Sequence, residues 1–259
     1  MPSTSATVAR LRAAGCVFAE DEAALLVEAA RTPAELAALT ERRAGGEPLE
    51  VILGWAEFLG LRIAVEAGVF VPRRRSGFLV LEAAALAAPG DVVVDLCCGT
   101  GALGVALAAK VGVRLYAADI EPAAVRCARR NVVPAGGEVF EGDLYEALPA
   151  ELCGRVRLLL VNAPYVPTDE IALMPPEARE HEPRVALDGG ADGVDVHRRV
   201  AAEAARWLAP GGHLLIETSE EQAPWTADAM ARNGLSPRVT TSEEFYSTVV
   251  IGTRPAEIN

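Results

Sequence analysis

Asn162-Ala163-Pro164-Tyr165 directly follows four apolar residues, Leu158 to Val161. Such a run reads as a buried strand with a polar tip. The chemistry available at that tip is hydrogen-bond acceptance beside a planar group. Asn162 offers a side-chain carbonyl. Pro164 holds Ala163 extended and so fixes the direction of the Ala163 carbonyl. Two acceptors side by side can hold both hydrogens of one NH₂ group. An amide nitrogen is a poor nucleophile because its lone pair is delocalised into the carbonyl. Fixing its N–H bonds aims it at an electrophile, and the acceptors stabilise positive charge that grows on it. Tyr165 can stack on the planar group or lie near a cation. Asn162, Ala163, Pro164 and Tyr165 are therefore the candidate catalytic residues.

A second constellation is Asp95-Leu96-Cys97-Cys98-Gly99-Thr100-Gly101-Ala102-Leu103-Gly104, between an apolar strand and a helix. Gly99 and Gly101 permit a tight turn that brings backbone N–H groups against a ligand. The helix N-terminus adds partial positive charge to the same crevice. By itself the glycine spacing suits NAD as well as S-adenosylmethionine. Asp95 favours the second, because a carboxylate repels a pyrophosphate and suits ammonium and sulfonium charge. Asp119 ends the next strand, where it can accept from ribose hydroxyls of either cofactor. Asp143 follows the third strand. It reads equally as an acceptor for an adenine amino group or as a surface acid. Cys97, Thr100, Ile120 and Leu144 flank these positions and join Asp95, Gly99, Gly101, Asp119, Asp143 and Asn162 as cofactor-side candidates.

The elements that must position these groups alternate. Helical spacing runs through residues 6–43, with Ala23, Leu26, Val27 and Ala30 on one face and Thr32-Pro33 starting the last helix. Residues 48–71 alternate around Gly54 and Gly60 as a hairpin or meander. Helices are then expected at 78–88, 103–110, 122–131, 194–208 and 225–233. Strands are expected at 91–96, 114–118, 138–140, 158–161 and 213–217. A closing antiparallel pair is expected at 238–241 and 247–252. That order implies a mostly parallel sheet covered on both faces. The division expected is a helical element at 1–46, a hairpin linker at 47–72 and an α/β domain at 73–259.

Composition narrows the function. The chain has 259 residues and a formal net charge of −12, against the basic surface that nucleic-acid binding needs. Arg73-Arg74-Arg75 is a local basic run that reads as a solvated turn or an anion contact. No apolar run reaches membrane-spanning length, and Met1–Arg10 lacks an apolar signal core, so a cytoplasmic protein is expected. Five scattered cysteines, an odd number, argue for free thiols. No ligand spacing announces a metal site.

Together these residues resemble a known family. Asn162-Ala163-Pro164-Tyr165 is similar to the Asn-Pro-Pro-Tyr signature of amino and amide methyltransferases. The chain more specifically resembles the HemK/PrmC type, which methylates a glutamine side-chain amide in peptide-chain release factors, with a sister group acting on a ribosomal protein. The likeness runs from Glu47-Pro48-Leu49-Glu50 through Gly54–Phe58, Val71-Pro72-Arg73 and the Asp95 loop. It continues through Glu182-Pro183, Ala186–Gly193 and Pro210-Gly211-Gly212. The resemblance implies a Rossmann-like, seven-stranded class I methyltransferase sheet, S-adenosyl-L-methionine as cofactor, and a small N-terminal helical domain for protein recognition. It implies that Asp95, Gly99, Gly101, Asp119 and Asp143 face the cofactor, and that Asn162, the Ala163 carbonyl and Tyr165 face the glutamine. Arg73, His181, Glu182 and Pro183 are the further substrate-side candidates. Two departures stand out: Ala163 replaces the signature's first Pro, and Arg75-Ser76 stand where the family has an acid and Thr.

Other readings remain open at this point. They are a small-molecule N-methyltransferase, should Arg74 and Arg75 grip a carboxylate; a nucleic-acid amino-group methyltransferase; a NAD-dependent oxidoreductase; and a cofactor-binding regulator without activity. His213 reads as structural, Glu217 as a residue at the edge of the pocket, and Trp55 and Phe58 as hairpin packing.

Overall fold

In the computed structural model residues 4–256 are described; the first three residues of the polar N-terminal stretch lie outside them. The chain opens with three helices, α1 (Thr4–Ala13), α2 (Ala19–Ala29) and α3 (Pro33–Ala44). Thr32 caps α3 by accepting from Glu35 N–H at 3.1 Å, with Pro33 in the first turn, as the sequence predicted. The buried stripe of α2 is Ala19, Ala23 and Leu26, one turn nearer the N-terminus than expected; Val27 is exposed and Ala30 half-buried. These helices share a small core of Leu11, Ala19, Ala23, Leu26, Leu36 and Ile52.

Ile52 belongs to a short helix, α4 (Leu49–Leu53), where strand-like alternation was expected. Pro48 starts the helix and Gly54, at φ +77°, ends it. The hairpin is therefore shorter than the sequence implied: β1 (Trp55–Phe58) pairs with β2 (Leu61–Ala64). Asn131 ties this hairpin to the main sheet. Its side chain accepts from Ala64 N–H and donates to the carbonyls of Ala64 and Thr100.

From residue 77 the alternation follows expectation, with α5 (Gly77–Leu86), β3 (Val92–Leu96), α6 (Ala102–Val111), β4 (Arg114–Asp119), α7 (Pro122–Val132) and β5 (Glu138–Glu141). Next come β6 (Val156–Val161), a short α8 (Pro176–His181), α9 (Asp195–Trp207) and β7 (Leu208–Thr218). The chain ends with α10 (Ala223–Arg232), β8 (Ser236–Ser242) and β9 (Ser247–Thr253). The seven strands lie in the order β5-β4-β3-β6-β7-β9-β8. The first five are parallel, and β9 runs antiparallel to both β7 and β8.

Period-2 alternation divides the strand residues between two cores. Val92, Val94, Leu96, Leu159 and Val161 pack with α9 and α10 side chains on one face. Val93, Leu158 and Leu160 pack with α5 and α6 on the other. With helices on both faces, the strands are apolar throughout. The chain leaves β3 toward β5 and later returns to place β6 on the other side of β3. A crevice opens where the order reverses, at the carboxyl ends of β3 and β6.

Candidate active site

That crevice holds a cavity of about 590 Å³, within the range of pockets that bury a nucleotide-sized ligand. One wall consists of the tips of β3, β4 and β5: Cys97 to Thr100, Asp119 to Glu121, and Gly142 to Leu144. The facing wall holds Pro72, Arg75, Ser76, Asn162 to Val166 and the segment Pro183 to Asp188.

The first wall is shaped by backbone donors. Gly99 N–H donates to Asp119 Oδ2 at 2.8 Å and Glu121 N–H to its Oδ1 at 2.9 Å. Burial nevertheless raises the Asp119 carboxyl above its ordinary range. Cys97 adopts φ +55° and Leu144 φ +48°, so two non-glycine residues at this wall sit in left-handed backbone. Asp143 accepts from Arg199 of α9 at 2.7 Å, and Arg199 also lines the cavity. An acid expected to meet a base edge is thus already paired with a guanidinium.

Two cofactor-side candidates stand behind this wall. Asp95 is fully buried and does not line the cavity. Its Oδ2 accepts from Gly104 N–H at 2.9 Å, and its Oδ1 has no partner. Burial, opposed by that one bond, pushes its carboxyl up to about 8. The expectation of a direct contact to ligand charge is corrected accordingly: strand geometry turns the side chain under the helix start. Gly101, at φ +77°, serves helix packing, since a Cβ there would lie 2.6 Å from Val132 Cγ2. Cys97, Gly99, Thr100, Asp119, Ile120, Asp143, Leu144 and Asn162 do line the cavity.

On the facing wall, Asn162 donates through Nδ2 to Ser76 Oγ at 3.1 Å. With its nitrogen end held, the carboxamide oxygen is the group Asn162 can offer. Ala163 is buried behind it. Tyr165 OH donates to Glu217 Oε1 at 3.3 Å, and its ring lies against His197 with centroids 6.3 Å apart. Burial pulls the His197 imidazole down to about 4, so it is neutral there. A strap from Leu187 to Gly193 fixes this loop from outside. Val166 N–H donates to Leu187 O, and Gly189 N–H to Val166 O. Gln222 Nε2 donates to Tyr165 O at 2.8 Å and Asp192 O at 3.1 Å. Gly193, at φ +78°, passes so close that a Cβ would lie 2.4 Å from Tyr165 O. The Asp-Gly-Gly-Ala-Asp-Gly run is therefore the mould of the Tyr165 loop.

The substrate-side candidates divide. Pro183 lines the cavity. Arg73 pairs with the buried Glu182, and neither lines it. His181 points to the other side, into a shallower hollow with Cys16, Arg43 and Glu177. Helical phase explains this, because α8 ends at His181 and the chain then turns. Arg74 lies over the Phe245 ring, outside the cavity. Residues that sequence reasoning underweighted are Ser76, Arg75, Arg199 and Glu217. The position of Glu217 at the tip of the strand beside β6 was the available signal for it; Arg75 and Ser76 were marked only as departures from the family pattern, and no local pattern marks Arg199.

The Methyltransferase small domain family matches residues 61–173. A release factor glutamine methyltransferase from Geobacter sulfurreducens is 38% identical, over 86% of this chain and 79% of its own length. A 4-amino-L-phenylalanine/4-methylamino-L-phenylalanine methyltransferase from Streptomyces pristinaespiralis is 39% identical, over 70% of this chain and 64% of its own. Among solved structures, a methyltransferase from Pyrococcus furiosus superposes with a TM-score of 0.58 at 16% identity, covering 76% of this chain and 90% of that one. Sheet order, cavity and these likenesses together define a methyltransferase of the doubly wound α/β class. Within that class, the chain belongs to the release factor glutamine methyltransferase family.

Proposed function

We propose that the protein transfers a methyl group from S-adenosylmethionine to the side-chain amide of a glutamine in a protein substrate. One observation carries the reading: Asn162, with its nitrogen end held by Ser76, faces the Asp119 wall across a single cavity. The cavity residues fit the cofactor. Asp119 offers carboxylate lone pairs for hydroxyls, and half-exposed Ile120 offers an apolar surface for a base.

S-adenosylmethionine supplies an electrophilic methyl group on positively charged sulfur. The residues of this chain do the rest. Asn162 Oδ1 and the Ala163 carbonyl accept from the two hydrogens of the acceptor's NH₂, which fixes the nitrogen's direction. The same two oxygens stabilise the positive charge that develops on nitrogen. The Tyr165 ring covers the planar group. The wall between Pro183 and Leu187 excludes water from the reacting atoms. No strong base is needed, because the proton leaves readily once nitrogen carries four bonds.

The helices of residues 1–46 are read as the surface that meets the protein substrate. Five free thiols fit a cytoplasmic setting. A second reading has a specific observation behind it: Arg75 and Arg184 line the cavity, where they suit an amino acid's carboxylate. The Streptomyces relative is named for methylating a free amino acid that bears an arylamine. The test is labelled methyl transfer from S-adenosylmethionine to a release factor or to 4-aminophenylalanine, with mass spectrometry of the product. Label on a glutamine nitrogen of the release factor is the expected result; label confined to the arylamine selects the second reading.

A further inference from the structure

A primary amide held through both of its hydrogens still has a carbonyl oxygen to satisfy. Once water is excluded, the lone pairs of that oxygen need a donor from the protein. Asn162 Oδ1 and the Ala163 carbonyl only accept. The other polar side chains around them are mostly committed. Tyr165 OH gives its proton to Glu217 Oε1 at 3.3 Å. Ser76 Oγ receives Asn162 Nδ2 at 3.1 Å. Arg199, on the opposite wall, donates to Asp143. Arg184 is anchored only on Asp188 of its own turn, and its side chain is 69% exposed.

Arg75 differs from all of these. Its Nε donates to Glu217 Oε1 at 3.2 Å, and the Glu217 side chain is buried. A buried anchor thus grips the guanidinium by its inner nitrogen. Among the described residues, the two terminal nitrogens have no hydrogen-bond partner. They lie where Arg75 lines the cavity, with the side chain half exposed. The next residue, Ser76, is the one that holds Asn162. The guanidinium carbon stands 5.8 Å from the Tyr165 ring centroid, beyond the ~3.5–4.0 Å of direct contact. Free N–H donors, the carboxamide and the ring therefore share one wall. Arg75 is also a departure from the family pattern, so this donor belongs to the chain and not to the family at large.

We propose that Arg75 is a specificity-determining residue for the methyl acceptor: its terminal N–H groups donate to the carbonyl oxygen beside the reacting NH₂, so that the site selects a primary amide over an amine. This deepens the function proposed above and rests on the role given there to Asn162. The bond selects and does not accelerate. Amide resonance places negative charge on oxygen, and that charge is withdrawn as the nitrogen lone pair turns to the methyl group. A donor to the oxygen is therefore strongest before transfer. Its removal raises KM for the amide and leaves kcat at or above the wild-type value. Damage to the placement of Asn162 or Tyr165 lowers kcat instead.

The test begins with small probes on the full-length protein saturated with S-adenosylhomocysteine, the demethylated cofactor. N-acetylglutamine methylamide and N-acetyl-leucine methylamide share a backbone and differ in the side-chain amide. The NMR signals of the Arg75 guanidinium should shift with the glutamine probe and stay in place with the leucine probe. With a release factor as acceptor, Arg75→Met should raise KM about 10- to 100-fold, the range for a hydrogen bond to a charged group, without lowering kcat. Arg75→Lys, which keeps a donor, should recover part of that loss. Arg75→Met combined with Glu217→Gln removes both ends of the buried pair and should show the same KM, should the single variant fold poorly. Equal shifts with both probes, or none with the glutamine probe, overturn the proposal. So does a fall in kcat at unchanged KM. Should the wild type leave the release factor unlabelled, the proposed function fails, and the probe titration still decides whether Arg75 reads an amide.

Discussion

The two walls of the cavity are built by different means. The donor-side wall comes from three successive strand tips, held chiefly by bonds within a tip or between neighbouring strands, such as Gly99–Asp119; its longest reach is the Asp143–Arg199 pair to α9, 56 positions away. The acceptor-side wall is assembled from the turn at 75–76, the loop at 162–166, the strap at 187–193, and Glu217 and Gln222. Its bonds join residues from 21 to 142 positions apart. A wall of local turns tolerates change one tip at a time. A wall of distant contacts transmits a change at any member to Asn162 and Tyr165.

The largest effect should come from the centre of the acceptor wall. Asn162→Ala removes the side-chain acceptor and leaves the strand tips alone. A loss of about 3–4 kcal/mol in transition-state stabilisation is expected, the usual cost of deleting one preorganised polar partner. Calorimetry should give a nearly unchanged cofactor Kd. If turnover and cofactor affinity fall together, the two walls do not act separately.

Gly193→Ala comes next. A Cβ there would meet Gln222 Nε2 at 2.2 Å and Tyr165 O at 2.4 Å, on left-handed backbone. About 2–3 kcal/mol of stability should be lost in urea unfolding, and kcat should fall although residue 193 touches no reacting atom. A variant with native stability and native kcat would show that the strap does not mould the loop.

Asp119→Ala probes the donor wall. It removes the acceptor for Gly99 and Glu121 N–H together with the lone pairs offered to a ligand. Cofactor binding should weaken by about 1–3 kcal/mol, read as Kd, while kcat at saturating cofactor stays close to wild type. A kcat loss at saturation would place Asp119 in the acceptor geometry and blur the distinction between the walls.

The same contrast explains what could be read in the sequence. Five parallel strands and the antiparallel closing pair were legible because apolar runs of strand length alternate with helical spacing. The donor-side candidates were legible for a related reason: each sits at a strand tip, and eight of the ten named there line the cavity. Leu49–Leu53 was misread as strand because five residues are too few to separate a period of 2 from one of 3.6. Asp95 was placed in the ligand's path because proximity along the chain says nothing about which face of a strand tip is open. Arg75 and Ser76 stood out in the sequence only as departures from the family pattern, because their partners Glu217 and Asn162 lie 142 and 86 positions later. No spacing rule reaches that far.

The last expected effect is read as a pH dependence and concerns the boundary between the donor wall and the core. Asp95 keeps its proton up to about pH 8 in the folded protein, whereas an unfolded aspartate ionises near pH 4, at about 3.9. Between those values the folded state binds more protons than the unfolded one, so this residue makes stability fall as pH rises across that window. Burial likewise raises Asp119, Glu182 and Glu217, whose contributions have the same sign. The measurement must therefore be a difference. Asn at position 95 keeps a carbonyl for Gly104 N–H and carries no charge at any pH. Thermal unfolding of the cofactor-free protein should show Asp95→Asn gaining on the wild type steadily from about pH 4 to about pH 8, with a constant gap beyond. Parallel curves would mean that Asp95 is ionised in the fold and that its unpartnered oxygen has found a positive partner. Added S-adenosylmethionine should narrow the gap in the wild type, because positive charge over the glycine turn favours the carboxylate that lies beneath it. A gap insensitive to the ligand would detach Asp95 from the donor wall altogether and leave it as a prop for the first turn of α6.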